Sequence, residues 1–181
     1  IDPANPAQPI STPSSYSEEL AKKFGPFHTK GLPADTSALD NGILDEEEFL
    51  QLDDFFLKEK KEIFEYELSR FDSGLLFYYL SSTDQRQHMF WRLLNKNHPA
   101  YDPLLASKYE KTIENIYIEA DKILDKALQK VDKETTIMVM SDHGFSSFRR
   151  SFHVNTWLKE NGYLNLINEQ KQGEDPLFIN T

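Results

Sequence analysis

The sequence contains no cysteine, no long apolar run and fewer basic than acidic residues. The absence of cysteine excludes a disulfide scaffold, a thiolate metal site and a cysteine nucleophile. No apolar stretch approaches the roughly 20 residues of a membrane-spanning helix, and the N-terminal residues lack the pattern of a signal peptide. Lys and Arg number 20 against 30 Asp and Glu, which gives a net charge of −10. That charge disfavours broad contact with nucleic acid or anionic lipid, so we expect a cytoplasmic protein that binds neither a nucleic-acid polymer nor a membrane.

The chain has the size of one domain or of a piece of one, with 181 residues of which 39% are hydrophobic and 13% aromatic. Residues 1–16 are rich in Pro, Ser and Ala and lack periodicity, which predicts an extended, linker-like segment. We expect residues 17–181 to form one α/β domain or a part of one. The chain opens on Ile1-Asp2-Pro3 without an initiator Met, so we expect an excised or processed segment.

Apolar periodicity predicts the helices. Ser17 before two glutamates predicts an N-cap, and Gly25-Pro26 predicts the end of that helix. Residues 26–44 have the composition of a loop. Asp45 and three following glutamates predict the start of a long helix with a buried apolar face. Further helices are predicted over 84–94, 105–130 and 153–161.

Two short apolar runs predict strands buried on both faces, at 75–80 and 135–140, and a shorter strand is predicted at 163–167. Helices lie between the two buried strands, so these strands should be parallel and joined by a right-handed crossover. Ligands collect beyond the C-terminal ends of such strands. Both polar clusters of the chain follow those ends.

The first polar cluster is Asp84-Gln85-Arg86-Gln87-His88, and the second is Ser141-Asp142-His143-Gly144. Asp84 and His88 are four residues apart and share one face of a helix. Asp142 and His143 can face one ion only if the backbone turns, which Gly144 would permit. Taken singly, the first cluster is better explained as a surface ion pair, and the second as a turn with a hydrogen-bonded His. Their shared position at neighbouring strand ends favours a metal site.

Oxygen and imidazole ligands without thiolate suit Zn²⁺, Mn²⁺ or Fe²⁺ better than Ca²⁺. His153 follows ten residues after His143 and is a further candidate ligand. Arg149 and Arg150 could hold a phosphate by bidentate hydrogen bonds, or form an ordinary basic pair on the surface of an acidic chain.

Several segments resemble a known family. TTIMVMSDHGF resembles the strand and metal loop of the alkaline phosphatase superfamily, and three further segments resemble its type I phosphodiesterase/nucleotide pyrophosphatase branch: STDQRQHMFWRLLNKNHPAYD, SDHGFSSFRR and FHVNTWLKENGYL. PISTPSSYSEELAKKFG and ALDNGILDEEEFL are similar to members of that branch regarded as phosphohydrolases or phosphomutases. The resemblance implies a partial alkaline-phosphatase-like domain of the α/β class, with parallel strands and long crossover helices.

The resemblance also implies two divalent metal ions, Zn²⁺ or Mn²⁺, with Asp84 and His88 on one ion and Asp142 and His143 on the other. His153 matches the third His of the first ion in the manner of the phosphoglycerate mutase relatives. An Asp ligand and a Thr or Ser nucleophile precede these motifs in the superfamily, and residues 1–83 do not resemble that segment. We therefore expect an internal fragment without the nucleophile, with little or no activity by itself.

The predicted function is a part of a metal-dependent enzyme that acts on a phosphate ester, as a mono- or diester hydrolase or a phosphomutase. The alternative is a non-catalytic metal-binding or interaction module on the same scaffold. A third interpretation is a plain α/β domain whose Asp and His residues are structural.

Overall fold

A computed structural model describes residues 1–29, 34–166 and 179–180, and the chain divides into two units, Ile1–Ser147 and Phe148–Thr181. The first unit is helical. Its α-helices are α1 (Tyr16–Phe24), α2 (Thr36–Asp40), α3 (Glu46–Arg70), α4 (Ser81–Phe90), α5 (Pro103–Tyr109) and α6 (Thr112–Lys130), with a 3₁₀ helix at Trp91–Leu94 between α4 and α5. None of the helices in the described ranges combines the length and apolarity that a membrane crossing requires.

Helix α3 begins as predicted. The Asp45 side chain accepts a hydrogen bond from the Glu48 backbone N–H, and the Glu48 carboxylate accepts one from the Asp45 N–H, which completes a capping box. The buried side of α3 carries the core residues Phe49, Phe56, Leu57, Phe64 and Leu68. Phe49 and Phe56 pack with Met89, Phe90 and Leu93, while Phe64 and Leu68 pack with Ile123 of α6. Helix α3 is therefore the element against which α4 and α6 are fixed.

Helices α1 and α4 differ in their first residues from the prediction. Helix α1 begins at Tyr16 rather than after an N-cap at Ser17, which is buried inside the helix, and it ends at Gly25 with a φ of 83°. Helix α4 begins at Ser81, three residues before the predicted start, and its last predicted turn is the 3₁₀ helix. Helix α2 was missed within the predicted loop, although Asp35 caps it by accepting from the Ala38 N–H.

The helix predicted over 105–130 is two helices. Helix α5 begins at Pro103 with Asp102 as N-cap. The helix is interrupted at Glu110 and Lys111, and α6 begins at Thr112. The apolar stripe continues across this break from Tyr109 to Ile113, and both residues pack on the same core cluster. Periodicity alone therefore predicted one helix where the backbone forms two.

Neither 75–80 nor 135–140 pairs as a strand within the described chain, so the two buried strands expected there stay predictions. Side chains of 75–80 nevertheless alternate. Leu76, Tyr78 and Leu80 pack against the Phe64, Leu68 and Ile123 cluster, while Leu75, Phe77 and Tyr79 are exposed. This period of two is typical of an extended segment with one face covered. The α/β fold class itself stays a prediction.

The second unit contains α7 (Val154–Glu160), which ends before Gly162 at a φ of 79° and matches the predicted short helix. Strand β1 (Asn165–Leu166) pairs antiparallel with β2 (Ile179–Asn180). The predicted strand over 163–167 thus overlaps β1 only in part, and its last residue lies outside the described residues. The linker-like segment 1–16 contains turns and bends before α1, and its separation from 17–181 stays a prediction.

Candidate metal centre

Helix α4 presents Asp84 and His88 together. His88 Nε2 lies 3.2 Å from Asp84 Oδ1, as expected for residues four apart on a helix. The Asp84 side chain is a quarter exposed and that of His88 more than half exposed. The opposite side of α4 is buried against the core. Helix α4 is therefore held in place by its buried residues, while Asp84 and His88 remain partly accessible to solvent.

The loop after residue 140 brings a second imidazole to the same place. His143 Nε2 lies 3.5 Å from Asp84 Oδ1. Ligand atoms of Asp84, His88 and His143 all lie within 4.8 Å of one another, and we call these three residues the 84/88/143 cluster. The cluster joins His88 and His143, which are 55 positions apart in sequence.

Asp142 lies outside this cluster, although it adjoins it in sequence. Its side chain is 84% exposed, and its Oδ2 lies 3.9 Å from His143 Nε2. Its Oδ1 accepts a hydrogen bond from the His143 backbone N–H at 3.1 Å. Gly144 does not adopt a positive φ, so the turn at this loop does not require a glycine. The division into an 84/88 ion and a 142/143 ion stays a prediction.

One aromatic ring, that of Phe145, contacts both imidazoles. The Phe145 ring lies 4.9 Å from that of His88 and 5.3 Å from that of His143, both edge-on, and 5.7 Å from that of Trp91. These contacts restrict the rotation of both imidazoles. The sequence analysis did not single out Phe145 as a site residue. Its position two residues after His143 was the available signal.

The carboxylates of both motifs lie close enough to Tyr79 to affect its pKa. Burial raises the pKa of Tyr79, and the negative charges of Asp84 and Asp142 raise it further. Tyr79 closes the segment that leads into α4. The two acidic motifs therefore share one local field, which is negative and favours a bound cation.

The remaining predicted residues belong to the second unit. Arg149, Arg150 and His153 are exposed there, and His153 is the N-cap residue of α7 without a side-chain capping bond. Their roles as phosphate contacts and as a third imidazole ligand stay predictions.

The donor set fits a divalent transition-metal ion. One carboxylate and two imidazoles without thiolate suit Zn²⁺, Mn²⁺ or Fe²⁺. Zinc holds its ligand atoms at about 2.0–2.2 Å, so small rotations of the exposed His88 and His143 side chains would bring all three ligand atoms to one ion.

Comparison with protein families gives one match. The family model for type I phosphodiesterase / nucleotide pyrophosphatase matches residues 7–179, nearly the whole chain. Neither the curated proteins nor the solved structures include a significant match.

Proposed function

The chain belongs to the type I phosphodiesterase / nucleotide pyrophosphatase family, and from this premise we propose that it forms the metal-binding part of a phosphoryl-transfer enzyme. The family carries out phosphodiesterase/pyrophosphatase-type phosphoryl transfer on phosphate esters and is generally metal-dependent. The observation that carries the proposal is the 84/88/143 cluster, because its three ligand residues come from two separate motifs and their ligand atoms meet within 4.8 Å.

Each residue of the cluster has a separate role in the proposal. Asp84 Oδ1 lies 3.2 Å from His88 Nε2 and 3.5 Å from His143 Nε2, so this oxygen would mark the centre of the site. His88 and His143 supply neutral nitrogen ligands, and Phe145 holds their rings apart at a ring-centre distance of 6.1 Å. A bound divalent cation would supply Lewis-acid stabilisation of the charge on phosphoryl oxygens. The surrounding residues hold the ligands so that little reorganisation is needed.

A second ion is part of the proposal. Asp142 would hold it, since the Asp142 carboxylate is exposed and lies at the edge of the 84/88/143 cluster, 3.9 Å from His143 Nε2. Arg149 and Arg150 would bind phosphate oxygens, and His153 would complete a ligand set. We propose Zn²⁺ or Mn²⁺ as the ions, and the chemistry of the ligands does not separate a hydrolase from a phosphomutase.

We also propose that the chain supplies ligands but not the nucleophile. The hydroxyls adjacent to the two motifs donate to backbone carbonyls: Thr83 Oγ1 to Leu80 O at 2.8 Å, and Ser141 Oγ to His143 O at 2.5 Å. In the α/β architecture proposed for the whole enzyme, 75–80 and 135–140 would be strands of a parallel sheet. Their exposed apolar side chains support this, because such strands are covered on both faces.

Calorimetric titration with Zn²⁺ and Mn²⁺ tests the proposal. Asp84→Asn, His88→Ala and His143→Ala should each weaken binding by more than the roughly 10–100-fold that changes outside the ligand shell cause. Asp121→Asn, a change of an exposed carboxylate on α6, is the matched control and should bind as the parent does. Equal binding by the Asp84 variant would refute the metal centre.

Asp142→Ala distinguishes a site with one metal ion from a site with two. If Asp142 holds a second ion, the stoichiometry of the titration should fall from two to one while the first ion still binds. An unchanged stoichiometry would remove Asp142 from the ligand set.

Activity measurements separate the enzyme from the non-catalytic module. The 181-residue chain should bind metal yet hydrolyse a nitrophenyl phosphate ester far below the usual enzymatic range of about 1–10³ s⁻¹. Turnover within that range would contradict the proposal that the nucleophile lies elsewhere. Metal binding without turnover in the complete enzyme would favour the module.

A further inference from the structure

Residues 81–88 of α4, which include Asp84 and His88, pack through polar side chains. The buried residues among them are Ser81, Ser82, Gln85, Arg86 and Gln87, and apolar packing begins only at Met89 and Phe90. The position of residues 81–88 is therefore set by specific polar contacts more than by the hydrophobic core. Non-directional burial could not fix the rotation of the helix about its axis at this point.

The centre of those contacts is Asp53 of α3, which is fully buried. Its Oδ1 accepts a hydrogen bond from Ser82 Oγ at 2.8 Å, and its Oδ2 accepts one from Arg86 Nε at 2.5 Å. Another nitrogen of Arg86 donates to Asp54. One carboxylate thus holds two residues of α4 that are one turn apart. We call Asp53, Ser82 and Arg86 the buried network.

The buried network lies on the side of α4 opposite the proposed metal ligands. Ser82 and Arg86 are four residues apart, as are Asp84 and His88, and the two pairs are offset by two residues, which is about 200° around a helix. A rotation of α4 that loosened one pair would move the other. The network also contains a buried charge, and removing one partner of such a pair leaves the other uncompensated.

We infer that Asp53 is a positioning residue for the metal centre: it sets the rotation of α4 through Ser82 and Arg86, and so places Asp84 and His88 beside His143. The inference rests on the proposed function, in that the ligands it positions are those proposed above. Asp53 does not contact the ion in this account. Loss of a group that hydrogen-bonds directly to a metal ligand typically costs about 10–100-fold in metal affinity, and we expect a loss within this range for Asp53, whose effect is carried by the rotation of α4.

The test substitutes Asp53→Asn, which preserves shape and removes the charge. With Co²⁺ as the spectroscopic probe, the variant should bind about 10–100-fold more weakly and its visible absorption band should change in shape. In the metal-free protein, the nuclear Overhauser contact between the His88 and Phe145 rings, whose centres lie 4.9 Å apart, should weaken. A merely structural residue would lower the melting temperature without altering the band or the ring contact.

The matched control is Glu46→Gln. Glu46 also lies on α3 and pairs with an arginine, Arg92, at 2.7 Å, but this pair lies beside the apolar end of α4. Co²⁺ affinity and the ring contact should be unchanged in this variant. An equal loss in the control would overturn the inference, because any destabilised ion pair would then produce the effect.

The remaining outcomes are decisive too. A folded Asp53→Asn that keeps the affinity within twofold and retains the ring contact overturns the inference. If that variant does not fold, Ser82→Ala is measured instead, because it removes only one hydrogen bond from the buried network. Several-fold weaker Co²⁺ binding would support the inference, and unchanged binding would overturn it. If the parent chain binds no Co²⁺, the proposed function fails, while the ring contact in the metal-free variants still decides the positioning role.

Discussion

Two glutamines of α4 illustrate how single residues determine the stability of the site's supporting helix. Gln85 is 1% exposed, and neither its Oε1 nor its Nε2 has a hydrogen-bond partner among the described residues. Gln87 is also buried, but its Nε2 donates to Thr83 O and its Oε1 accepts from Tyr117 Oη. A buried polar group without a partner retains its full desolvation cost.

Gln85→Met should therefore stabilise the chain by about 1–2 kcal/mol, since the substitution keeps the shape and removes two unpaired polar groups. Gln87→Met is the matched control and should destabilise by a similar amount, because it breaks two hydrogen bonds and leaves Thr83 O without its side-chain donor. Urea unfolding measures both. A loss of stability in Gln85→Met would show that its amide is paired in solution.

The candidate ligands could be predicted from the sequence because the residues of each motif lie within a few positions of one another. Asp84 and His88 follow helical spacing, and the meeting with His143 followed from the expected neighbourhood of two motifs. Asp53 was not found, although a signal existed: it lies four residues after Phe49 on the buried side of α3, so periodicity placed a carboxylate in an apolar stripe. Its partner Arg86 looked like one more charge in a polar run.

At the scale of elements, α3 and α6 are joined by an ion pair. The Glu119 carboxylate of α6 accepts from Lys61 of α3 and from Lys122 of its own helix. Hydrogen bonds from Lys122 and Lys61 lower the pKa of Glu119 to about 2. A lowered pKa in the folded state means that stabilisation is fully present above the unfolded value near 4.5 and is lost as the pH falls towards 2.

Glu119→Gln should accordingly destabilise the chain by about 0.5–1 kcal/mol at pH 7, the range expected of a partly exposed pair. The difference from the parent should shrink between pH 4.5 and pH 2 as Glu119 is protonated. Urea unfolding across this range is the measurement, and a double-mutant cycle with Lys61→Met isolates the pair. A coupling free energy that is the same at pH 7 and pH 3 would contradict the assignment.

Elements with a strong terminal signal were predicted best. The Asp45 capping box and the glycines after α1 and α7 set helix ends through local hydrogen bonds and φ values, which short sequence windows contain. The break between α5 and α6 was missed because the apolar stripe runs through it. The signal for the start of α5 was present in Asp102-Pro103, an N-cap followed by proline at the first helical position.

At the scale of the whole molecule, 75–80 and 138–140 are segments of the described chain in which several exposed apolar side chains lie close together in sequence. Leu75, Phe77 and Tyr79 alternate with covered neighbours, and Met138, Val139 and Met140 are at least 71% exposed. A sheet requires partners from distant parts of a chain, so local apolar runs predict a strand without specifying its neighbours. For this reason the apolar composition of 75–80 and 135–140 predicts extended segments, but it does not predict which strands would pair with them.

The exposed segments should bind an apolar dye and favour self-association. Phe77→Ser should lower the fluorescence of bound anilinonaphthalene sulfonate and the tendency to aggregate, with a change in unfolding free energy within about 0.5 kcal/mol, as is usual for surface positions. Phe55→Ser, at a phenylalanine of α3 that is 59% exposed, is the control and should affect dye binding less. Equal effects of the two changes would argue against a specific apolar face at 75–80.

The central claim is that Asp84, His88 and His143 ligate one metal ion. X-ray absorption at the zinc edge, recorded on the chain loaded with one equivalent of Zn²⁺, tests it directly. We predict scattering from two imidazoles and from oxygen at about 2.0–2.2 Å, with one imidazole lost in His143→Ala. A spectrum without imidazole scattering, or one unchanged in His143→Ala, would contradict the account.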